Sequence, residues 1–163
     1  MSFQEAFDAW MHRQITEEKN PRRRERLNKG LGPGEMALLQ RVWYPAIGHF
    51  DHLHAEWEVK DANSRYRYID FAYLPGGSAK GALEAMGYGP HARDMSVGQF
   101  KDQCVRHALL ALDDWVFLPI AYPSLMEEPK FCQQLILAFV GKFQSMGSGQ
   151  DLNWAEAETV RFA

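Results

Sequence analysis

The sequence lacks any apolar run long enough to cross a bilayer, and it does not open with the charged-then-apolar pattern of a secretory leader. The expectation is a cytoplasmic protein with no membrane partner. Cysteine is scarce: Cys104 and Cys132 are the only two, they form no C-x-x-C pair, and both fall in helical patterns. This sets aside a disulfide scaffold, and the pair is expected as reduced core thiols. Charge of one sign is lacking too, since 18 Lys and Arg stand against 21 Asp and Glu for a net −3. The whole chain therefore does not advertise a polyanion partner. What is present suits one domain with a real core: 163 residues and five tryptophans spread along the chain.

Phe3, Phe7, Trp10 and Met11 recur at helical spacing within residues 3–18, until Asn20-Pro21 breaks the pattern. A basic segment follows, with Arg22, Arg23, Arg24, Arg26 and Lys29 close together. Such a run is most often a solvated face, and contact with phosphate is the alternative. Gly34 to Ala46 reads as the next helix, with Leu38, Leu39, Val42 and Trp43 inward and Glu35 in the first turn, where the helix dipole favours an acid. His49, Asp51, His52 and His54 cluster next, but their spacing fits no zinc motif. Strands are expected over 56–59, 65–74 and 80–86. Ser96 and Gln99 have capping-box form, opening a helix to about Leu112 with Phe100, Cys104, Ala108 and Ala111 as its buried stripe. Trp115–Tyr122 is a strand that Pro119 bends or confines to a sheet edge. The last full helix, 127–143, has Phe131, Leu135, Phe139 and Phe143 inward. Residues 144–151 read as a Gly/Ser/Gln linker. Beyond it, Asn153 and Glu156 cap an opening helix that reads as the start of a further helical module lying beyond the chain.

The element order predicts an α/β fold with a mixed central sheet flanked by helices. It divides into a basic helical segment (1–33), a main domain (34–143), and the linker with its opening helix (144–163). Two strands of the main domain each carry one carboxylate in an apolar run: Asp70 within Tyr68-Ile-Asp-Phe-Ala72, and Glu84 within Ala82-Leu-Glu-Ala-Met86. Acids are depleted in strand interiors and costly to bury unless paired or bound to a cation. A divalent metal is the simplest explanation, because Mg²⁺ is usually held by one or two carboxylates plus water and phosphate.

At Asp70 and Glu84 the sequence resembles the PD-(D/E)XK nuclease superfamily, in particular small bacterial proteins near the short-patch mismatch-repair endonuclease branch. The likeness covers about Ala6 to Phe143. It is carried by Gly34-Glu35, Val42-Trp-Tyr-Pro-Ala46, Gly48-His-Phe50, Tyr66–Ala72, Gly87-Tyr-Gly-Pro-His-Ala-Arg-Asp94 and Gln99-Phe100. It implies a restriction-endonuclease-like sheet and Mg²⁺- or Mn²⁺-dependent hydrolysis of DNA phosphodiesters, with Asp70 and Glu84 as metal ligands and Glu35 as an outer acid. His91 and Arg93 would contact phosphate or leaving group. Gln99 and Arg106 would orient the site or touch the DNA backbone, and Arg22, Arg23, Arg24 and Arg26 would add phosphate contacts. Two copies, as a homodimer, are what many nucleases of this kind use to cut both strands, although no interface is legible in the sequence.

The departure from the superfamily pattern lies at Met86, where Lys is usual and the branch has Asp. A thioether neither binds Mg²⁺ well nor acts as a base. Lys80 shares the strand face but lies about 13 Å away along the strand. Weak or impaired cleavage is therefore one expectation, and a DNA-binding or regulatory protein without the chemistry is another. A third is an interaction module in which Asp70 pairs with Arg65, Arg67 or Arg106 and Glu84 with another cation. For single residues the plainer roles are a loop histidine for His91 and a capping partner for Gln99.

Overall fold

The computed structural model describes residues 1–87 and 96–150, with backbone alone for 147–150. Helix α1 (Phe3–Glu17) opens on a Ser2–Glu5 capping box, and α2 (Pro21–Asn28) opens on Asn20, whose side chain accepts from the Arg22 N–H. Asn20-Pro21 thus ends one helix and starts the next, since proline at the first helical position has no N–H to leave unsatisfied. A third helical stretch comprises α3 (Pro33–Ala37), a π-helical segment (Leu38–Trp43) and α4 (Tyr44–Ile47). Pro45 cannot donate to the carbonyl of Arg41, which accepts instead from the Gln133 side chain at 2.9 Å. Leu38, Leu39, Val42 and Trp43 are fully buried there, as their spacing predicts.

Strands β1 (Leu53–Lys60), β2 (Tyr66–Gly76), β3 (Ala79–Met86) and β4 (Val116–Ala121) form one sheet in the order β1-β2-β3-β4. The first two pairings are antiparallel and β3–β4 is parallel, so the sheet is mixed and Pro119 lies on an edge strand, as expected. Helix α5 (Val97–Leu112) forms the crossover from β3 to β4, and α6 (Tyr122–Glu127) and α7 (Pro129–Gln150) follow. The main core joins Trp10, Leu27, Trp43, Phe71, Leu83 and Ile136, so residues 3–28 share it with the sheet. A smaller core of Ile69, Ala72, Ala82, Leu110 and Trp115 lies on the α5 face. At the other edge, side chains seal β1. Trp10 Nε1 donates to the Leu53 carbonyl, Gln14 Oε1 accepts from the Ala55 N–H, and Arg23 donates twice to the Ala55 carbonyl.

Several sequence expectations are corrected here. The apolar stripe of α5 points outward: Phe100 is 60% exposed, and Cys104, Ala108 and Ala111 are exposed with it. The face toward the sheet carries Arg106 and Leu110 instead. Cys104 is therefore a surface thiol, whereas Cys132 is buried as predicted. On α7 the inward stripe is Cys132, Ile136, Phe139 and Phe143, while Phe131 is 56% exposed. That helix also runs on to Gln150, so 144–150 is helix rather than linker. The masses of Phe139 and Phe143 dictate the residue beneath them. A Cβ at Gly81 would lie 2.5 Å from Phe139 and 2.8 Å from Phe143. Gly81→Ala is accordingly expected to cost about 1–3 kcal/mol in urea unfolding. An unchanged midpoint would show that the two rings step aside freely.

Candidate functional site

The strand pair β2–β3 brings the two central acids to one place. The ladder runs through Tyr73↔Gly81, Ala72↔Ala82 and Phe71↔Leu83, and its recorded register stops one step short of Asp70 and Glu84. From there side chains replace backbone partners. Asp70 Oδ2 accepts from the Ala85 N–H at 3.0 Å, and Arg106, reaching across from α5, donates to the Tyr68 carbonyl.

Asp70 also stands at a step where the sheet changes face. On β1, Leu53 and Ala55 belong to the main core but Trp57 and Val59 pack with the smaller one. On β2, Tyr73 and Phe71 belong to the main core but Ile69 to the smaller one. Strict alternation would keep each set on one face. The switch falls between Ala55↔Phe71 and Trp57↔Ile69, at Glu56 and Asp70, where Glu56 has a φ of +51°. Nothing in the local sequence, neither glycine nor proline, announces this irregular step.

Glu84 is 2% exposed, and both its oxygens are taken by one guanidinium. Arg106 Nη1 donates to Oε2 at 2.9 Å and Nη2 donates to Oε1. Burial pushes the Glu84 carboxyl above its usual range, and Arg106 opposes the rise. Asp70 has no cation in direct contact among the described residues. Burial first, then the negative charges of Glu84 and Glu35, push it up to about 7, while the Ala85 N–H and the more distant Arg106 pull the other way. Glu35 lies in the first turn of α3, as expected, with Gly34 set against the Ala85 side chain. Three acids and one guanidinium thus share the mouth of the strand split. Among the described residues no group of three His, Cys, Asp or Glu side chains is close enough to hold a metal by itself. Of the two strand acids, Glu84 has both oxygens on Arg106 and Asp70 has Oδ2 on the Ala85 N–H. That set of hard oxygens fits Mg²⁺ or Mn²⁺, which complete their shells with water and phosphate.

The other expected site residues divide sharply. Gln99 is occupied as the capping partner of Ser96, each side chain bonding the other residue's backbone N–H. Met86 is half-buried beside Ala121 in the β3–β4 register. Lys80 pairs with Asp113 at 3.1 Å, remote from the acids. His91 and Arg93 lie outside the described residues, as does the opening helix after Asn153. The basic segment is largely engaged within the protein. Arg22 makes a two-point contact with Glu58, Arg26 bonds Glu56 at 2.7 Å, Arg23 is buried on Glu18 and Gln14, and Arg24 donates to the Glu18 carbonyl. Arg22 and Arg26 also lie over the rings of Tyr66 and Tyr68. Bonding from Arg22 in particular holds Glu58 down at about 2. Arg65 and Arg67 pair with Asp61 and Asp102, not with Asp70.

Sequence reasoning missed the partnership of Arg106 with Glu84 and the Tyr68 carbonyl, and that of Asp70 with the Ala85 N–H. The one available signal was the spacing of Gln99, Gln103 and Arg106, a polar face on a helix whose apolar stripe drew the attention. Compared with family models, with curated proteins and with solved structures, the chain matches none. The likeness to the PD-(D/E)XK nucleases therefore rests on the sequence alone.

Proposed function

We propose that the chain is a diverged PD-(D/E)XK-type, DNA-directed endonuclease-like protein whose metal-dependent phosphodiester hydrolysis is impaired. One observation carries this reading: a half-buried carboxyl, Asp70, stands with Glu84 and Glu35 where two strands part, and desolvation and their charges push it up to about 7. Carboxyls crowded and desolvated in this way are costly to the fold and cluster at functional sites. Asp70 and Glu84 would hold the cation, which would supply an activated water and neutralise charge on the phosphate. Glu35 adds negative potential that favours a divalent ion over a monovalent one. Met86 contributes neither proton transfer nor a ligand, which is why the rate is expected to be low. Losing one transition-state stabilising group costs about 3–4 kcal/mol of barrier in comparable sites.

A second reading, DNA binding without hydrolysis, is favoured by the Arg106 grip on Glu84, which satisfies that carboxylate with no metal at all. Calorimetric titration with Mn²⁺ separates the two. The metal site requires heat of binding in the parent that disappears in Asp70→Ala. Met86→Asp or Met86→Lys should then raise Mn²⁺-dependent nicking of plasmid DNA by about tenfold or more. A flat baseline in both variants would sink the nuclease reading, and DNA retention persisting in EDTA would support the second.

A further inference from the structure

We infer that Arg106 is an internal cation competing with the divalent metal for Glu84, so that metal binding and the release of α5 from the sheet are one event. This rests on the metal-site reading above and adds its regulation. Arg106 is a positioning residue here, acting through Glu84.

The geometry makes the competition direct. One guanidinium spans both Glu84 oxygens and the residue is 2% exposed, so a cation that binds there must share the carboxylate with the guanidinium or displace an N–H. The same Nη2 holds the Tyr68 carbonyl, so a single side chain from α5 spans the split between β2 and β3. Charge favours the exchange, because Asp70, Glu84 and Glu35 act on one another at this point with Arg106 as the cation among them.

Apart from Arg106, the helix meets the sheet through few side chains, chiefly Leu110 in the smaller core and His107, whose ring lies 4.4 Å from that of Phe117. Leu110 is its only buried residue, and Val97, Phe100 and Leu112 are 76%, 60% and 82% exposed. Its other polar tether to the sheet is Asp102, bonded twice by Arg67 at 2.9 and 3.2 Å. Losing the Arg106 clamp therefore removes a large share of what fixes α5. The guanidinium also has somewhere to go. Its side chain is 23% exposed and lines a cavity of about 350 Å³ with Asp61, Asp113 and Trp115. Asp61 and Asp113 at that cavity already carry Arg67 and Lys80, so the displaced guanidinium shares a carboxylate there or turns out to solvent.

The test combines Mn²⁺ calorimetry on the parent, R106K and R106Q with amide hydrogen exchange of α5 in the parent. R106K keeps a positive charge opposite Glu84 and so guards against loss of the fold. Both variants are expected to bind Mn²⁺ about tenfold or more tighter than the parent. Adding D70A to R106K should abolish that binding, and saturating Mn²⁺ should speed exchange of the α5 amides in the parent. Equal affinity in all three proteins, or α5 exchange unchanged at saturation, would overturn the competition while leaving the metal site standing. No binding by any of them, or binding that survives D70A, would remove the metal-site reading and the competition with it.

Discussion

Asp70→Asn is expected to stabilise the protein by about 3 kcal/mol at pH 8 and to have little effect at pH 4. In the fold, burial and then the charges of Glu84 and Glu35 raise the Asp70 carboxyl from its ordinary 3.8 to about 7. Between those two values the folded chain holds a proton that the unfolded chain has lost. Stability therefore falls as pH rises through that window, and the full cost is present above it. Asparagine copies the protonated acid in shape and keeps an oxygen for the Ala85 N–H. Urea unfolding at pH 4, 6 and 8 checks this, because the gap between variant and parent should widen step by step. A gap that stays constant with pH would mean that Asp70 ionises in the fold as easily as in water. The direction is characteristic of a group kept for function at the expense of stability.

The second large effect is an asymmetry. Arg106→Met should cost about 3–5 kcal/mol, and Glu84→Leu clearly less, although each removes one half of the same pair. Glu84 is 2% exposed, so losing its partner strands a charge with no path to water. Arg106 has a side chain 23% exposed, so an orphaned guanidinium can reach solvent. The double variant should regain most of the loss, since removing both charges together removes the desolvation penalty with them. A double-mutant cycle by thermal unfolding gives the coupling directly. Equal losses for the two single variants, with no coupling between them, would show that the clamp contributes little to the fold.

Much of the scaffold was legible because it is local. Asp70 and Glu84 in apolar runs marked two neighbouring strands, Ser96 and Gln99 marked a helix start, and Leu38, Leu39, Val42 and Trp43 marked a buried face. The failures were failures of partnership. Periodicity finds an apolar stripe on α5 but not whether anything lies against it, and here the sheet meets Arg106 and Leu110 instead. The arginine run read as a solvated face, with phosphate contact as the alternative, because the acids Glu56 and Glu58 that pair with Arg26 and Arg22 lie about thirty residues away in sequence. The Gly- and Ser-rich stretch after Phe143 was read as a linker, yet each glycine costs a helix only about 1 kcal/mol, which α7 absorbs. The face change at Asp70 had no sequence mark because two opposed residues, one on each strand, share the irregularity and leave the register intact.

The sealing of β1 by Trp10, Gln14 and Arg23 has a consequence for self-association. An incoming polypeptide finds the Leu53 carbonyl and the Ala55 amide and carbonyl already bonded, so extension of the sheet by a foreign segment is hindered at that end of β1. On the opposite border Pro119 withholds the hydrogen that a continuous new ladder would need. Growth of the molecule by strand addition is thus discouraged at both rims, and any pairing of two copies is left to the helical surfaces.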